Sequence, residues 1–200
     1  MGRPREFNSE AALEAATAAF WANGYEGTSS RDLTECMGLS SSSIYAAFGD
    51  KLTLYRLALD HYLDLLRERM SRLEATLSPA DAITAFFDEV IDRSLRDKLQ
   101  RGCMLVNSAL EASPRDAAFQ DAVAGELTAI EDFFRRCFAA GQKAGEIPAR
   151  HAADDAARHF LTVLLGIRVL ARVRPQRKRL GGAVRQALQT LDLPQLAKDS

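Results

Sequence analysis

Apolar residues recur at three- and four-residue steps along nearly the whole chain, and no stretch alternates apolar with polar residues for long enough to build a sheet. That spacing is one face of an α-helix, so the sequence predicts an all-α fold of about nine helices. Six prolines and twelve glycines in 200 residues leave room for long helices. With 47% hydrophobic and 26% charged residues the chain can bury a sizeable core, in one compact unit or two. The formal net charge is −1, so no whole-molecule basic field draws it to polyanions and any nucleic-acid contact must be local.

What is missing also constrains function. The N-terminal residues run into an amphipathic segment, so no secretory signal is expected. The longest apolar stretch, residues 160–167, stops at Arg168, far short of the roughly 20 residues a bilayer span needs. Cys36, Cys103 and Cys137 lie far apart, without Cys/His pairing, which argues against a disulfide framework or a structural zinc. The expectation is a cytoplasmic protein with no membrane, metal or cofactor partner. An enzyme is disfavoured: there is no Gly-rich phosphate loop, HExxH or GxSxG, and His61, His151 and His159 are widely separated.

The first sixty residues carry a specific series of signals. Ala12, Ala15, Ala16, Ala19 and Phe20 follow Ser9, a good N-cap, and predict an opening helix that ends at Asn23-Gly24. Thr28 or Ser29 can cap a brief second helix with Leu33, Cys36 and Met37 inward. Gly38 suits a left-handed C-cap, Leu39 pins the turn, and Ser40 caps a third helix whose core side is Ile44 and Phe48. Asp50 then caps a fourth, from Lys51 past Met70. Two short helices joined by a glycine turn, with a helix on either side, make the helix-turn-helix arrangement that lays its second helix in the DNA major groove.

Residues 8–60 resemble the TetR family of bacterial regulators. The likeness rests on one ordered series of landmarks: Phe20-Trp21-Ala22-Asn23-Gly24-Tyr25, Thr28-Ser29, Gly38-Leu39-Ser40, and Ile44-Tyr45-Ala46-Ala47-Phe48-Gly49-Asp50-Lys51. The resemblance implies an arm and DNA-binding head over residues 1–50 and an effector-binding and dimerisation bundle over 51–200, connected by the helix 51–72. It implies that Thr28 and Ser30 meet backbone phosphate, that Arg31 reaches phosphate or a base, that Ser41, Ser42, Ser43 and Tyr45 face the groove, and that Lys51 clamps a phosphate. Hydroxyls and helix N-terminal amides suit such contacts. The plainer roles are a cap for Ser40 and part of the packing for Tyr45.

One departure from the family pattern stands out: the third helix holds no positive charge between Leu39 and Asp50. Up to residue 60, five bases face eight acids. Arg3 and Arg5, on the N-terminal arm, are expected to compensate by entering the narrow, electronegative minor groove.

The remaining chain predicts a helix from Ser78-Pro79 to about Leu99, a short buried one from Cys103, a long one opened by Ser113-Pro114, one introduced by Pro148 and Asp154-Asp155, and a last from about Gln176 to Leu191. The last two are apolar over more than one stripe, so a partner subunit is the expected cover, with Leu161, Leu164, Leu165, Val184, Leu188 and Leu191 at a homodimer interface. The resemblance points the same way, and a twofold dimer matches a palindromic double-stranded operator. Phe86, Phe87, Cys103, Met104, Phe133, Phe134 and Phe138 supply the wall of a pocket for an unidentified hydrophobic or aromatic effector, although each is equally suited to core.

Gly102-Cys103-Met104 looks like the Gly-Cys-Leu segment of a TetR subgroup in which some members sense electrophiles or oxidants through that cysteine. Arg101 and a helix start are at hand to favour the thiolate. The seven bases from Arg168 to Arg185, in an acid-free stretch, read as a solvated interhelical loop. The expected function is therefore a ligand-responsive repressor. The alternatives are a thiol-based redox- or electrophile-sensing repressor using Cys103 and a helical interaction protein without DNA binding.

Overall fold

The computed structural model describes residues 8–111 and 116–196, which form nine α-helices and no strand among them. They are α1 (Ser9–Gly27), α2 (Ser30–Met37), α3 (Ser41–Phe48), α4 (Lys51–Thr76), α5 (Pro79–Arg96), α6 (Met104–Glu111), α7 (Ala117–Ala144), α8 (Ala153–Val173) and α9 (Arg177–Thr190).

Short polar side chains set the starts of α1 to α5 and of α7, whereas α8 and α9 begin without a side-chain cap. Asn8, rather than Ser9, caps α1, its side-chain oxygen accepting from the N–H groups of Glu10 and Ala11; one residue further out, it leaves Ser9 inside the first turn. Ser29 and Asp32 close a reciprocal capping box on α2. Ser40 caps α3, Asp50 caps α4, and Ser78 caps α5 with Pro79 at its first position. Gly38 sits at φ 65°, ψ 25°, the left-handed conformation that ends α2 and turns the chain into α3. Gly24 breaks the helical path of α1 at φ 76°, ψ 178°; a Cβ there would lie 2.0 Å from a Glu111 carboxylate oxygen. That carboxylate accepts the Tyr25 backbone N–H at 2.7 Å, so the end of α1 is tied to α6.

One hydrophobic core runs through the molecule. At the N-terminal end α1 packs on α2, α4 and α6, burying Phe20, Leu33, Ile44, Leu54 and Tyr55. The Phe20 and Tyr55 rings meet edge to face at 5.0 Å, and the Tyr55 hydroxyl pairs with Ser108 Oγ of α6 at 2.8 Å. Burial pushes the Tyr55 phenol up to about 12, so it stays a hydrogen-bonding neutral group. Further along, α7 packs on α8 and α5, and α9 closes over α5 and α8. There Phe86, Phe87, Phe133, Phe134 and Phe160 form a fully buried aromatic cluster.

The basic stretch after Gly166 is not a solvated loop. Arg168 and Arg172 lie on α8 with bonds to Gly102 and Asn107, and Arg177 opens α9 in an ion pair with Asp92. Arg174 in the α8–α9 connection, and Lys178 and Arg179 at the start of α9, do stay exposed, so the run is split between solvated bases and bases that reach other elements.

Candidate nucleic-acid interface and effector cavity

Helix α3 is anchored by Ile44, with Tyr45 and Phe48 half-buried against the core, and is exposed at its serines and at Ala46 and Ala47. Ile44 is buried on the core, while Ser41, Ser42 and Ser43 are exposed and Tyr45 is half-buried. Ser40 Oγ accepts the Ser43 backbone N–H at 3.2 Å and lies within hydrogen-bonding distance of the Ser42 and Ser43 hydroxyls. The Tyr45 hydroxyl meets Ser30 Oγ at 2.7 Å, joining the first residue of α2 to the middle of α3. Ser30, Ser41, Ser42, Ser43 and Tyr45 therefore share one polar, uncharged surface around the glycine turn.

The other residues of this set are placed differently. Thr28 is fully buried, its hydroxyl donating to the Gly24 carbonyl at 2.7 Å, so its side chain holds the α1–α2 turn. Arg31 is exposed and paired with Glu35 at 2.8 Å. Lys51 Nζ sits 4.4 Å above the Tyr25 ring at the start of α4. Arg3 and Arg5 lie outside the described residues.

Between α4, α5, α6, α7 and α8 lies a cavity in two compartments. The inner one, about 50 Å³, is walled by apolar residues including Leu66, Phe86, Leu127 and Leu164, with Cys103 at its edge. The outer one, about 290 Å³, shares Tyr62, Arg93 and Arg168 with it and opens toward Trp21. Of the pocket residues expected from sequence, Phe86 and Cys103 line this cavity. Phe87, Phe133, Phe134 and Phe138 have no exposed surface and pack on Phe160 and one another, and Met104, the first residue of α6, is buried in the core. Sequence reasoning missed Tyr62, Arg69 and Arg93. The recurrence of Tyr62, Leu66 and Arg69 at four and three residues on α4 was the available signal for a shared face.

Cys103 and Arg168 form the polar centre of the cavity. The Tyr62 hydroxyl donates to Cys103 Sγ at 3.7 Å, and Arg168 donates to the Gly102 carbonyl at 2.6 Å, to the Tyr62 hydroxyl at 3.3 Å and to Ser94 Oγ at 2.9 Å. Burial pushes the Cys103 thiol up, but the Arg168 charge, the Val106 backbone N–H and the Tyr62 hydroxyl outweigh it. The thiol is held below its ordinary value. The Gly102 carbonyl also accepts from Trp21 Nε1 at 3.3 Å, and the Arg101 guanidinium covers the Trp21 ring at 3.7 Å. One carbonyl thus joins α1 to α8.

The apolar residues of the last helices divide in two. Leu164, Val184, Leu188 and Leu191 are buried within the single chain, whereas Leu161 and Leu165 are half-buried beside exposed Val169, Leu170 and Val173 on α8.

Comparison with known proteins agrees with this geometry. Residues 12–58 match the family described as "Bacterial regulatory proteins, tetR family", and residues 79–189, more than half of the chain, match "Tetracyclin repressor-like, C-terminal domain". The chain belongs to the TetR family. Among the relatives of this TetR-family chain, an uncharacterized HTH-type transcriptional regulator, YezE of Bacillus subtilis (strain 168), is 32% identical over 96% of this chain and 100% of its own. The HTH-type transcriptional repressor ComR of Escherichia coli (strain K12) is 29% identical over 86% of this chain and 82% of its own. Among solved structures, a triple-cysteine mutant of the TetR-family regulator CifR complexed with 26-bp double-strand operator DNA superposes with a TM-score of 0.85. It is 36% identical, covering 96% of this chain and all of that one. No helix among the described residues is long and apolar enough to cross a membrane.

Proposed function

We propose that this TetR-family chain is a ligand-responsive repressor acting in the cytoplasm, which binds a palindromic operator as a twofold dimer and leaves it when a small hydrophobic or aromatic effector fills the cavity. The observation that carries the reading is the capped geometry of α3, which leaves Ser41, Ser42 and Ser43 exposed beside Tyr45 while Ile44, backed by half-buried Phe48, fixes its angle. Hydroxyls can reach either base edges or phosphate, and the helix-terminal amides add phosphate contacts. Ser30, Arg31 and Lys51 would hold phosphate, Thr28 would serve through the turn it fixes, and Arg3 and Arg5 would supply charge that α3 lacks. In this reading residues 1–50 form the DNA-binding head and 51–200 the effector and dimerisation unit.

The exposed apolar strip of α8, with Leu161 and Leu165 beside Val169, Leu170 and Val173, supports the dimer. A twofold axis there would present two α3 helices to half-sites one helical turn apart. Selecting bound duplexes from a random pool is expected to return an inverted repeat, and its gel shift should weaken steeply with salt. Failure of the folded protein to retard any selected duplex at low ionic strength overturns the reading and favours a helical interaction protein.

The Cys103 geometry favours a second reading, in which the effector is an electrophile that alkylates the thiolate. The thiolate predominates above the thiol pKa, and Arg168 holds that pKa low. In a protein whose only cysteine is Cys103, iodoacetamide labelling should therefore reach half its maximal rate at lower pH than a free cysteine does. Arg168→Met should move the midpoint upward. A profile identical to free cysteine in both proteins removes this reading.

A further inference from the structure

We propose that the effector is an amphipathic organic carboxylate, its carboxylate held by Arg69, Arg93 and Arg168 and its apolar body on the inner wall of the cavity. This rests on the reading of the cavity as the effector site, and adds the charge of the ligand to it.

Arg69, Arg93 and Arg168 line the inner compartment and no acid does. The outer compartment adds Arg101, the acid Asp97, and an exposed Arg96 that has Asp92 at 3.8 Å. The Asp97 carboxylate is already taken by Arg101, through its Nε at 3.1 Å and its backbone N–H at 2.7 Å. Arg168 donates to Ser94, Tyr62 and the Gly102 carbonyl, all neutral, and has no carboxylate partner; the Cys103 thiol beside it is the one group there that can carry a negative charge. The Arg93 side chain makes no hydrogen bond or ion pair among the described residues. Arg69 has Glu89 at 3.3 Å, but Glu89 is held more closely by Arg72, at 2.7 Å.

Such a cluster is costly without an anion. The Arg69 side chain is only 10% exposed, and its pKa is pushed down by burial and then by repulsion from Arg93 and Arg168. A carboxylate would relieve that repulsion and fit the guanidinium fork, whereas an ammonium would add to it. The apolar inner wall, with Leu66, Phe86, Leu127 and Leu164, would leave a bare inorganic anion without partners on that side. Both features together select an anion with an apolar body.

The same site is wired to the head. A carboxylate on Arg168 competes for the N–H groups that hold the Gly102 carbonyl, and that carbonyl is the acceptor of the Trp21 indole on α1. Occupancy would loosen the Trp21 contact and change the angle at which α1 carries α2 and α3. Trp21 is the only tryptophan in the chain, so its emission reads the event directly.

The test uses benzoate, 4-phenylbutyrate and octanoate, each beside its primary amide, with 4-phenylbutylamine and inorganic phosphate as further probes. Binding is followed by calorimetry and Trp21 emission on the full-length protein. At least one carboxylate should bind saturably with a Kd ten-fold or more below its amide and shift the emission, while the amine and phosphate do neither. Arg93→Gln, at an exposed position, should shrink the acid-over-amide preference about ten-fold, and Arg69→Met should do the same. Unchanged melting temperatures would show that both variants fold. Acids and amides binding equally would overturn the anion assignment, as would phosphate binding without any carboxylate. If all three acids fail while neutral hydrophobic compounds release operator DNA, the carboxylate proposal falls and the effector reading stands. If nothing that enters the cavity affects operator binding, the effector reading falls too.

Discussion

Phe134→Ala should cost about 3–5 kcal/mol of unfolding free energy, the usual loss when a large buried aromatic is cut to a methyl group. Phe134 has no exposed surface and touches four rings: Phe86 at 5.2 Å, Phe87 at 5.4 Å in a near-parallel stack, Phe133 at 5.3 Å and Phe160 at 5.4 Å. Those rings come from α5, α7 and α8, so the void would open where three helices meet and no single helix can move to fill it. Against a domain stability of about 5–15 kcal/mol, this is enough to shift expression and melting together. Urea unfolding measures it, and Phe134→Leu should recover part of the loss. A cost under about 1 kcal/mol would mean that the cluster is loosely packed and belongs to the cavity after all.

Tyr45→Ala acts at the opposite end and on a different quantity. It should weaken operator binding by about 10–100-fold, corresponding to the ~1–3 kcal/mol of a good groove contact, and also lower the melting temperature somewhat, because the ring packs on the core. The ring is half-buried beside the core and its hydroxyl meets Ser30, so the side chain both props α3 against α2 and ends at the exposed polar surface. Tyr45→Phe separates the two roles. It keeps the prop and removes the hydroxyl, so an intermediate loss assigns the difference to the hydroxyl. Neither variant alters charge, so the dependence of affinity on salt should keep its slope, whereas Lys51→Ala should flatten it by about one. If Tyr45→Ala binds operator like the parent protein, α3 does not read DNA in the manner proposed.

The helix boundaries were legible because their signals are local. A capping serine or aspartate satisfies N–H groups two or three residues away, and Gly38 adopts its left-handed conformation whatever the distant chain does. The shift from Ser9 to Asn8 at the first cap is a choice between adjacent capping residues that local pattern does not resolve. Thr28 shows the limit of reading a hydroxyl by type: in sequence it is as available as Ser30, but the break at Gly24 turns it inward onto a carbonyl.

The aromatics and arginines mark the other limit. Phe86 and Phe87 both pack on Phe134, yet only Phe86 also reaches the cavity wall, because adjacent helical positions point about 100° apart. Periodicity says that a residue points inward, not what it meets there. Likewise Leu161 and Leu164 both continue an apolar stripe, yet only Leu164 is fully covered within the single chain.

The sequence by itself determined the all-α class, the order of the helices and the turn that sets α3 beside α2, since each depends on interactions reaching only a few residues. Only the tertiary structure decided that Arg69 of α4, Arg93 of α5, Cys103 before α6 and Arg168 of α8 surround one space. Charges distant along the chain become neighbours there, Arg69 largely buried and Arg93 still exposed, and that proximity is fixed by how whole helices stack rather than by any local pattern.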